Sequence, residues 1–321
     1  MPTYDHAIAR TSFDAGADPL VPDPISAEVI QDLPRKCAIL QRAKKIQMSV
    51  NTQRMPVLNT LPVAYWVQQD TGLKQTTRQI WTGIELVVEE LAAIVPIPEN
   101  YLDDAQVPLW SEIKPRLVEA LGAKIDAACW FGTDKPATWG TDIYTLAVAA
   151  GNTVIAGTGD DFAQDVSNLG EKIALDGYAV NGFAARPGLS WKLTGMRSAD
   201  GIPIYQPNLV SGDPTIGKLY GYDVSEVDNG AWDASEAELI AGDFNYAIIG
   251  MRSDITWKMF DQGVISDGSG NVVLNLMQQD SVALRVTMRL AFVTANPVNR
   301  LQPSASGRSP FGVVQAATAG S

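Results

Sequence analysis

Few side chains in this sequence combine a reactive type with a useful spacing. His6 is the single histidine, and it sits in the irregular stretch MPTYDHAIARTSFD. A Ser/His/Asp or Cys/His relay would have to borrow it from a segment with no scaffold of its own. Cys37 and Cys129 are the two cysteines, and neither has neighbours at zinc-ligand or calcium-loop spacing. The adjacent acids Asp103-Asp104 and Asp160-Asp161 invite a general acid-base reading. Both pairs precede apolar-periodic segments, where capping and dipole complementation already account for them. The run GNTVIAGTGDDF sets glycines before a helix start, where amides can face a phosphate. It lacks both the Lys-Ser/Thr of a P-loop and GxGxxG spacing, so a turn followed by a cap is expected. The tryptophans at 66, 81, 110, 130, 139, 191, 232 and 257 share no period and are expected to pack rather than form a sugar platform. No cofactor and no metal are expected. The enzymatic alternative is a cytosolic α+β protein using Asp160, Asp161 or Asp243.

The elements that would position such groups follow from composition and pattern. The chain has 321 residues, 46% hydrophobic and 19% charged, enough for one large domain or two ordinary ones. With 27 Gly and 19 Pro it needs many turns, and an α+β fold suits it better than a bundle. A net charge of -12 argues against wrapping nucleic acid over the whole surface. Six of the 24 basic residues, Arg35, Lys36, Arg42, Lys44, Lys45 and Arg54, crowd into twenty positions. They form either a solvated face or a local contact surface. No window approaches a membrane span and no leader pattern is present, so a soluble chain made in a reducing cytosol is expected.

Residues 1 to about 45 read as an extended arm. PLVPDPIS is followed by a short helical pattern of mixed charge, AEVIQDLPRKCAILQRAKK, broken at Pro34. IQMSV, PVAYWV and RQIWTGIELVV favour strands, with turn signals at Gln53 to Pro56 and at Asp70-Thr71-Gly72, which makes a long hairpin. IELVVEELAAIVPIPE is a strand ended by Pro96 and Pro98. Asp103 and Asp104 should cap a helix of about 25 residues with Leu109, Ile113, Leu117, Leu121, Ile125 and Ala128 on one face, Pro115 kinking it or moving its start to about residue 111. Asp160 should cap a second helix through Phe162, Val166, Leu169 and Ile173, ended by Asp176-Gly177. A shorter helical pattern covers Leu189 to Met196. Strands follow at GIPIYQP, KLYGYDV and DFNYAIIGMRSDITWKMF, then a tight turn at SDGSGN. In VALRVTMRLAFV, Val282, Leu284, Val286, Met288, Leu290 and Phe292 face one way and Arg285, Thr287 and Arg289 the other. The C-terminal RLQPSASGRSPFGVVQAATAGS is rich in small and polar residues, and any order in it is expected to come from neighbouring subunits.

In that order, across nearly the whole chain, these segments resemble the major capsid proteins of tailed bacteriophages with the Hong Kong 97-type fold. The resemblance is carried by PVAYWVQQDTGLKQTTRQIWTGIELVVEELAAIVPIPENYLDDA, IDAACWFGTDKPATWGTDI, GLSWKLTGMRSADGIPIYQP, AGDFNYAIIGMRSDITWKMF and QQDSVALRVTMRLAFVTANPVNRL. LYGYDVSEVDNGA carries Asp223 where the family commonly has proline. The resemblance implies an N-terminal arm (1–45), an extended E-loop hairpin (46–82) and a peripheral domain with long strand and spine helix (83–141). An axial domain (142–275), a peripheral return strand (276–302) and a C-terminal tail (303–321) complete it. It also implies self-assembly into hexamers and pentamers of an icosahedral virion shell around double-stranded DNA, in the host cytoplasm and without a membrane. A separate scaffolding protein, a portal and possibly a decoration protein would be partners, since no room for a scaffolding segment is expected before the arm. An encapsulin-like compartment shell is the runner-up within the fold. The expected intersubunit contacts are Arg35, Lys36, Arg42, Lys44, Lys45, Arg54, Trp66, Asp70, Lys74 and Trp81. Some family members crosslink an E-loop lysine to an asparagine. Lys74 is suitably placed, but QQDSVALRVTMR offers no Asn and no carboxylate near Thr287, so no crosslink is expected.

Overall fold

The computed structural model describes residues 37–67, 73–104, 108–195, 216–267 and 269–317. Most of the arm, with His6, Arg35 and Lys36, lies outside them. So do the hairpin tip with Asp70, the segment GIPIYQP and Met196. The described chain runs α1 (Ala38–Arg42), β1 (Lys44–Gln47), β2 (Thr52–Thr60), β3 (Ile80–Val87), β4 (Glu89–Pro98), α2 (Glu99–Asp104) and α3 (Leu109–Phe131). It continues with α4 (Ile143–Ala150), β5 (Thr153–Ile155), α5 (Phe162–Leu175), β6 (Gly182–Ala185), α6 (Leu189–Thr194), β7 (Ile216–Leu219), β8 (Tyr222–Glu226) and β9 (Ala237–Gly242). β10 (Ala247–Phe260), β11 (Val264–Ser266), β12 (Val272–Asn275), β13 (Ser281–Thr294) and β14 (Phe311–Gln315) complete it.

One sheet has the order β1-β10-β13-β4. The alternation along β13 turns Leu284, Val286, Met288, Leu290 and Phe292 inward, and α3, the spine helix, lays Leu117, Leu121 and Ile125 on that face. α3 is about 35 Å long at about 1.5 Å per residue. β4 is an edge strand, and proline cannot donate to the ladder, so Pro96 and Pro98 blunt the open side against stray pairing. β10, whose residues fall within the expected axial segment, belongs to this sheet.

The second sheet has the order β5-β14-β9-β6-β8-β7, with α5 packed across it through Val166, Leu169 and Ile173. β14 corrects the reading of the C-terminus. Phe311, Val313 and Val314 are fully buried between β5 and β9, so this stretch is ordered by its own subunit. At Gly312 a Cβ would come 2.7 Å from Leu169 Cδ1, which is why the strand can slip so close beneath α5.

Other boundaries also moved. Asp103 and Asp104 end α2, and α3 starts at Leu109 behind Pro108 with no side-chain cap, carrying Pro115 inside it. Asp161, not Asp160, caps α5, accepting from the Gln164 amide at 2.8 Å. α4 was not anticipated: IYTLAVAA is apolar nearly all round and shows no helical stripe, yet Asp142 caps it through the Thr145 amide at 3.0 Å. Gln53 to Pro56 is not a turn but the body of β2, which pairs antiparallel with β3 and sets Pro56 opposite Gly83. A two-stranded ribbon has open edges on which a missing N–H is tolerated. The expected strand PVAYWV does not form a strand.

Candidate assembly surfaces

The β2–β3 ribbon stands apart from both main sheets. At its base Met55, Ile84 and Leu86 pack with Met48, Ile248 and Val293. Two further bonds fix its direction: the Val298 amide donates to Leu58 O at 3.0 Å, and Arg300 Nη2 donates to Pro62 O at 3.0 Å. Beyond that point the ribbon gains little from its own subunit. Trp66 is 99% exposed, and Val63, Leu73 and Trp81 are exposed as well. Large side chains left in water at the end of an extended element are the usual mark of a surface that another molecule covers. Lys74 is exposed beside Leu73, on the arm that returns to β3.

The basic cluster divides. Lys44 and Lys45 are exposed on β1, and Arg54 pairs across the ribbon with Glu85 at 2.5 Å. Arg42 is half-buried and bonds within its own subunit. Its Nε donates to Ser225 Oγ at 2.7 Å, its Nη2 donates to Asp223 O at 2.9 Å, and its guanidinium lies 5.4 Å from the Phe244 ring centre. A Cβ at position 182 would meet Arg42 Nη1 at 2.2 Å, so Gly182 makes room for this strut. Burial lowers the Arg42 pKa from its usual value.

Two exposed surfaces went unnoticed in the sequence. The β11–β12 hairpin presents Val264, Val272 and Val273, with Met277 following, and Trp191 on α6 is 80% exposed. Short apolar strands look alike whether buried or bare, so pattern gave no warning.

The acids of the enzymatic alternative do structural work. Asp161 is a cap, Asp160 is exposed, and Asp243 accepts from Asn245 N at 3.1 Å and from Asn181 Nδ2 at 2.5 Å. The glycine loop is occupied by the chain itself: buried Asp165 accepts from Gly157 N and Gly159 N, both at 2.7 Å. An anion-binding turn is thus closed by an internal carboxylate. Among the described residues no three His, Cys, Asp or Glu side chains are grouped to hold a metal. Thr287 is flanked across its sheet by Thr256 and Ala92. Neither neighbour is an asparagine or an acid.

The sequence profile of the phage capsid family matches residues 17–299. This chain belongs to the phage capsid family. It is a capsid protein, structural rather than enzymatic, and its fold is of the Hong Kong 97 type. It is 24% identical over 274 residues to the major capsid protein of Staphylococcus phage 80alpha, covering 84% of this chain and 79% of that protein. A solved chain from Microbacterium phage Oxtober96 superposes with a TM-score of 0.82 at 36% identity, covering 92% of this chain and 96% of that one. One from Mycobacterium phage Adephagia gives 0.81 at 30% identity, covering 94% and 97%. A capsid chain of a native GTA particle, at 0.67 and 18% identity over 94% and 97%, shares the fold.

Proposed function

We propose that this capsid protein is the major subunit of an icosahedral head, assembling as hexamers and pentamers around phage double-stranded DNA. The observation that carries the reading is the ribbon: a two-stranded element reaching past the body with Trp66 in open solvent. Isolated two-stranded ribbons are marginal in water, so this one gains its burial on a sister subunit. Trp81 and Lys74 join that contact, while Lys44, Lys45 and Arg54 meet either the inner wall's DNA or a neighbour's acids. The six-stranded sheet and its helices surround the five- and sixfold axes. Scaffolding protein, portal and decoration protein are separate chains, and assembly precedes release from the host cytoplasm. Size-exclusion chromatography with negative-stain microscopy tests this. Particles in the megadalton range are expected, and replacing residues 63–77 by a short turn should leave soluble, unassembled subunits. A wild-type chain that stays monomeric or dimeric under all assembly conditions overturns the proposal.

A further inference from the structure

Two Asn-Gly pairs occur in the chain, Asn181-Gly182 and Asn229-Gly230. Glycine has no Cβ to keep its backbone nitrogen away from the preceding side chain, so in this pairing the nitrogen can attack the asparagine carboxamide. The fold treats the two pairs differently.

Gly182 is buried in β6, and a Cβ there would meet Arg42 Nη1 at 2.2 Å, so the backbone has no room to buckle into a ring. The Asn181 carboxamide is held at both ends: Oδ1 accepts from Phe244 N at 3.0 Å and Nδ2 donates to Asp243 Oδ1 at 2.5 Å. Gly230 instead lies exposed in the turn between β8 and β9, in the left-handed region at φ +79°, and a Cβ there would meet nothing within 4 Å. No acceptor among the described residues holds its amide.

The half-buried Asn229 side chain folds back over this peptide. Its Oδ1 accepts from Ala231 N at 3.2 Å, an Asx turn that encloses the Gly230 nitrogen. The same bond polarises the carboxamide and is in place for the oxyanion that forms when a nucleophile adds to Cγ. Nδ2, the leaving group, donates to Asp126 Oδ2 at 2.6 Å, so an acid lies within proton-transfer reach of it.

We propose that Asn229 is a self-modification site and that its product unties α1 from the spine helix. The Gly230 nitrogen bonds to Asn229 Cγ and gives up its proton. The Cγ–Nδ2 bond breaks, and the side-chain nitrogen leaves as ammonia with that proton, relayed by Asp126. Water then opens the succinimide ring to aspartate or isoaspartate. No oxidant or reductant takes part, and the net charge moves from -12 to -13, one acid gained for a neutral amide. The new carboxyl stands where a donor faced Asp126, and two carboxyls so placed resist ionising together. Asp126 also holds the Ala38 and Ile39 amides, so the disturbance reaches α1.

The test uses the full-length, unassembled chain in mildly alkaline buffer, folded or in urea, with both asparagines followed by peptide mapping and mass spectrometry. The ratio of the Asn229 rate to the Asn181 rate should be at least about tenfold greater in the folded chain than in urea, because burial protects Asn181 alone. A ratio that folding leaves unchanged or lowers, or an Asn229 that stays inert in the folded chain, would overturn the site. Asn229→Asp, made directly, reads the consequence without waiting for the reaction. Hydrogen exchange at Ala38–Arg42 should quicken about tenfold, and an unchanged profile would overturn the untying.

Discussion

Asp126, on the buried face of the spine helix, caps the helix that begins at Ala38: its Oδ2 accepts the Ala38 amide at 2.8 Å and its Oδ1 the Ile39 amide at 2.9 Å. The same carboxylate accepts from Cys37 Sγ at 3.2 Å and from Asn229 Nδ2 at 2.6 Å. α1 has no cap of its own, because Cys37 at its N-cap makes no side-chain bond to it. One acid therefore ties the start of the described chain and the turn after β8 to the spine helix. Asp126→Ala strands two buried backbone amides without their acceptor, at about 1–3 kcal/mol each, and releases the half-buried Asn229 amide. The unassembled variant should lose about 4 kcal/mol in urea denaturation, and a loss under about 1 kcal/mol would contradict the hub.

The same acid predicts an unusual pH response. Burial is the largest influence on it and raises its pKa above 3.8, in spite of the four donors. The folded subunit therefore holds a proton at this site more readily than the unfolded chain does. That contribution to stability is present in full below 3.8 and is lost as the pH rises through the folded value. Acidifying from neutral should thus shift the stability difference between wild type and Asp126→Asn in favour of wild type. A difference that is flat, or that moves toward the variant, would show that the donors outweigh burial.

Arg308 is a buried cation that no acid pairs with among the described residues. It donates to Asn296 O at 3.0 Å, Pro297 O at 3.1 Å, Gln302 O at 3.3 Å and Pro303 O at 2.6 Å. Tyr178 closes the same loop through its hydroxyl, which donates to Asn296 Oδ1 at 2.8 Å; burial pushes this phenol up to about 12. The guanidinium fork thus folds the segment that carries the chain from β13 into β14. Lysine presents a point charge and cannot reach four carbonyls at once. Arg308→Lys should cost about 2–3 kcal/mol, the scale of lost charge-assisted bonds, with faster hydrogen exchange confined to residues 296–315. A variant as stable as wild type would show that the loop holds itself.

What the sequence disclosed depended on periodicity. The middle of β13 and the apolar face of α3 were legible because each buries one side more deeply than the other there, so the alternation or the three- and four-residue steps survive in the string, although Ala291 and Val293 bury the second face of β13 near its end. α4 and β14 were not. α4 is apolar on nearly every face, and β14 is five residues lying among glycines and serines, so neither leaves a repeat to count. For β14 the low-complexity surroundings pointed toward disorder, while pairing to β5 and β9 far away in the sequence decided the outcome. Among the candidate contacts, residue type singled out Trp66 and Lys74 as intersubunit candidates, and both are exposed. It said nothing of Arg42, because a basic side chain carries no mark of whether a serine 183 residues away awaits it.

Trp66 separates folding from assembly. Its side chain is 99% exposed, and the ribbon's base is fixed elsewhere, by Leu86, Val298 and Arg300. Trp66→Ser should therefore leave the denaturation midpoint of the isolated subunit within about 0.5 kcal/mol of wild type, as for most exposed positions. In the shell the indole would be an aromatic anchor buried against a neighbour, where truncation costs about 2 kcal/mol or more. At 1.4 kcal/mol per factor of ten, that is roughly thirtyfold for each contact. The concentration at which particles first appear, followed by light scattering, should rise by at least that factor, since every subunit in a shell repeats the contact. Unaltered assembly of a folded Trp66→Ser chain would mean that the ribbon's tip touches nothing, and the burial it lacks would have to be sought on the β11–β12 hairpin or around Trp191.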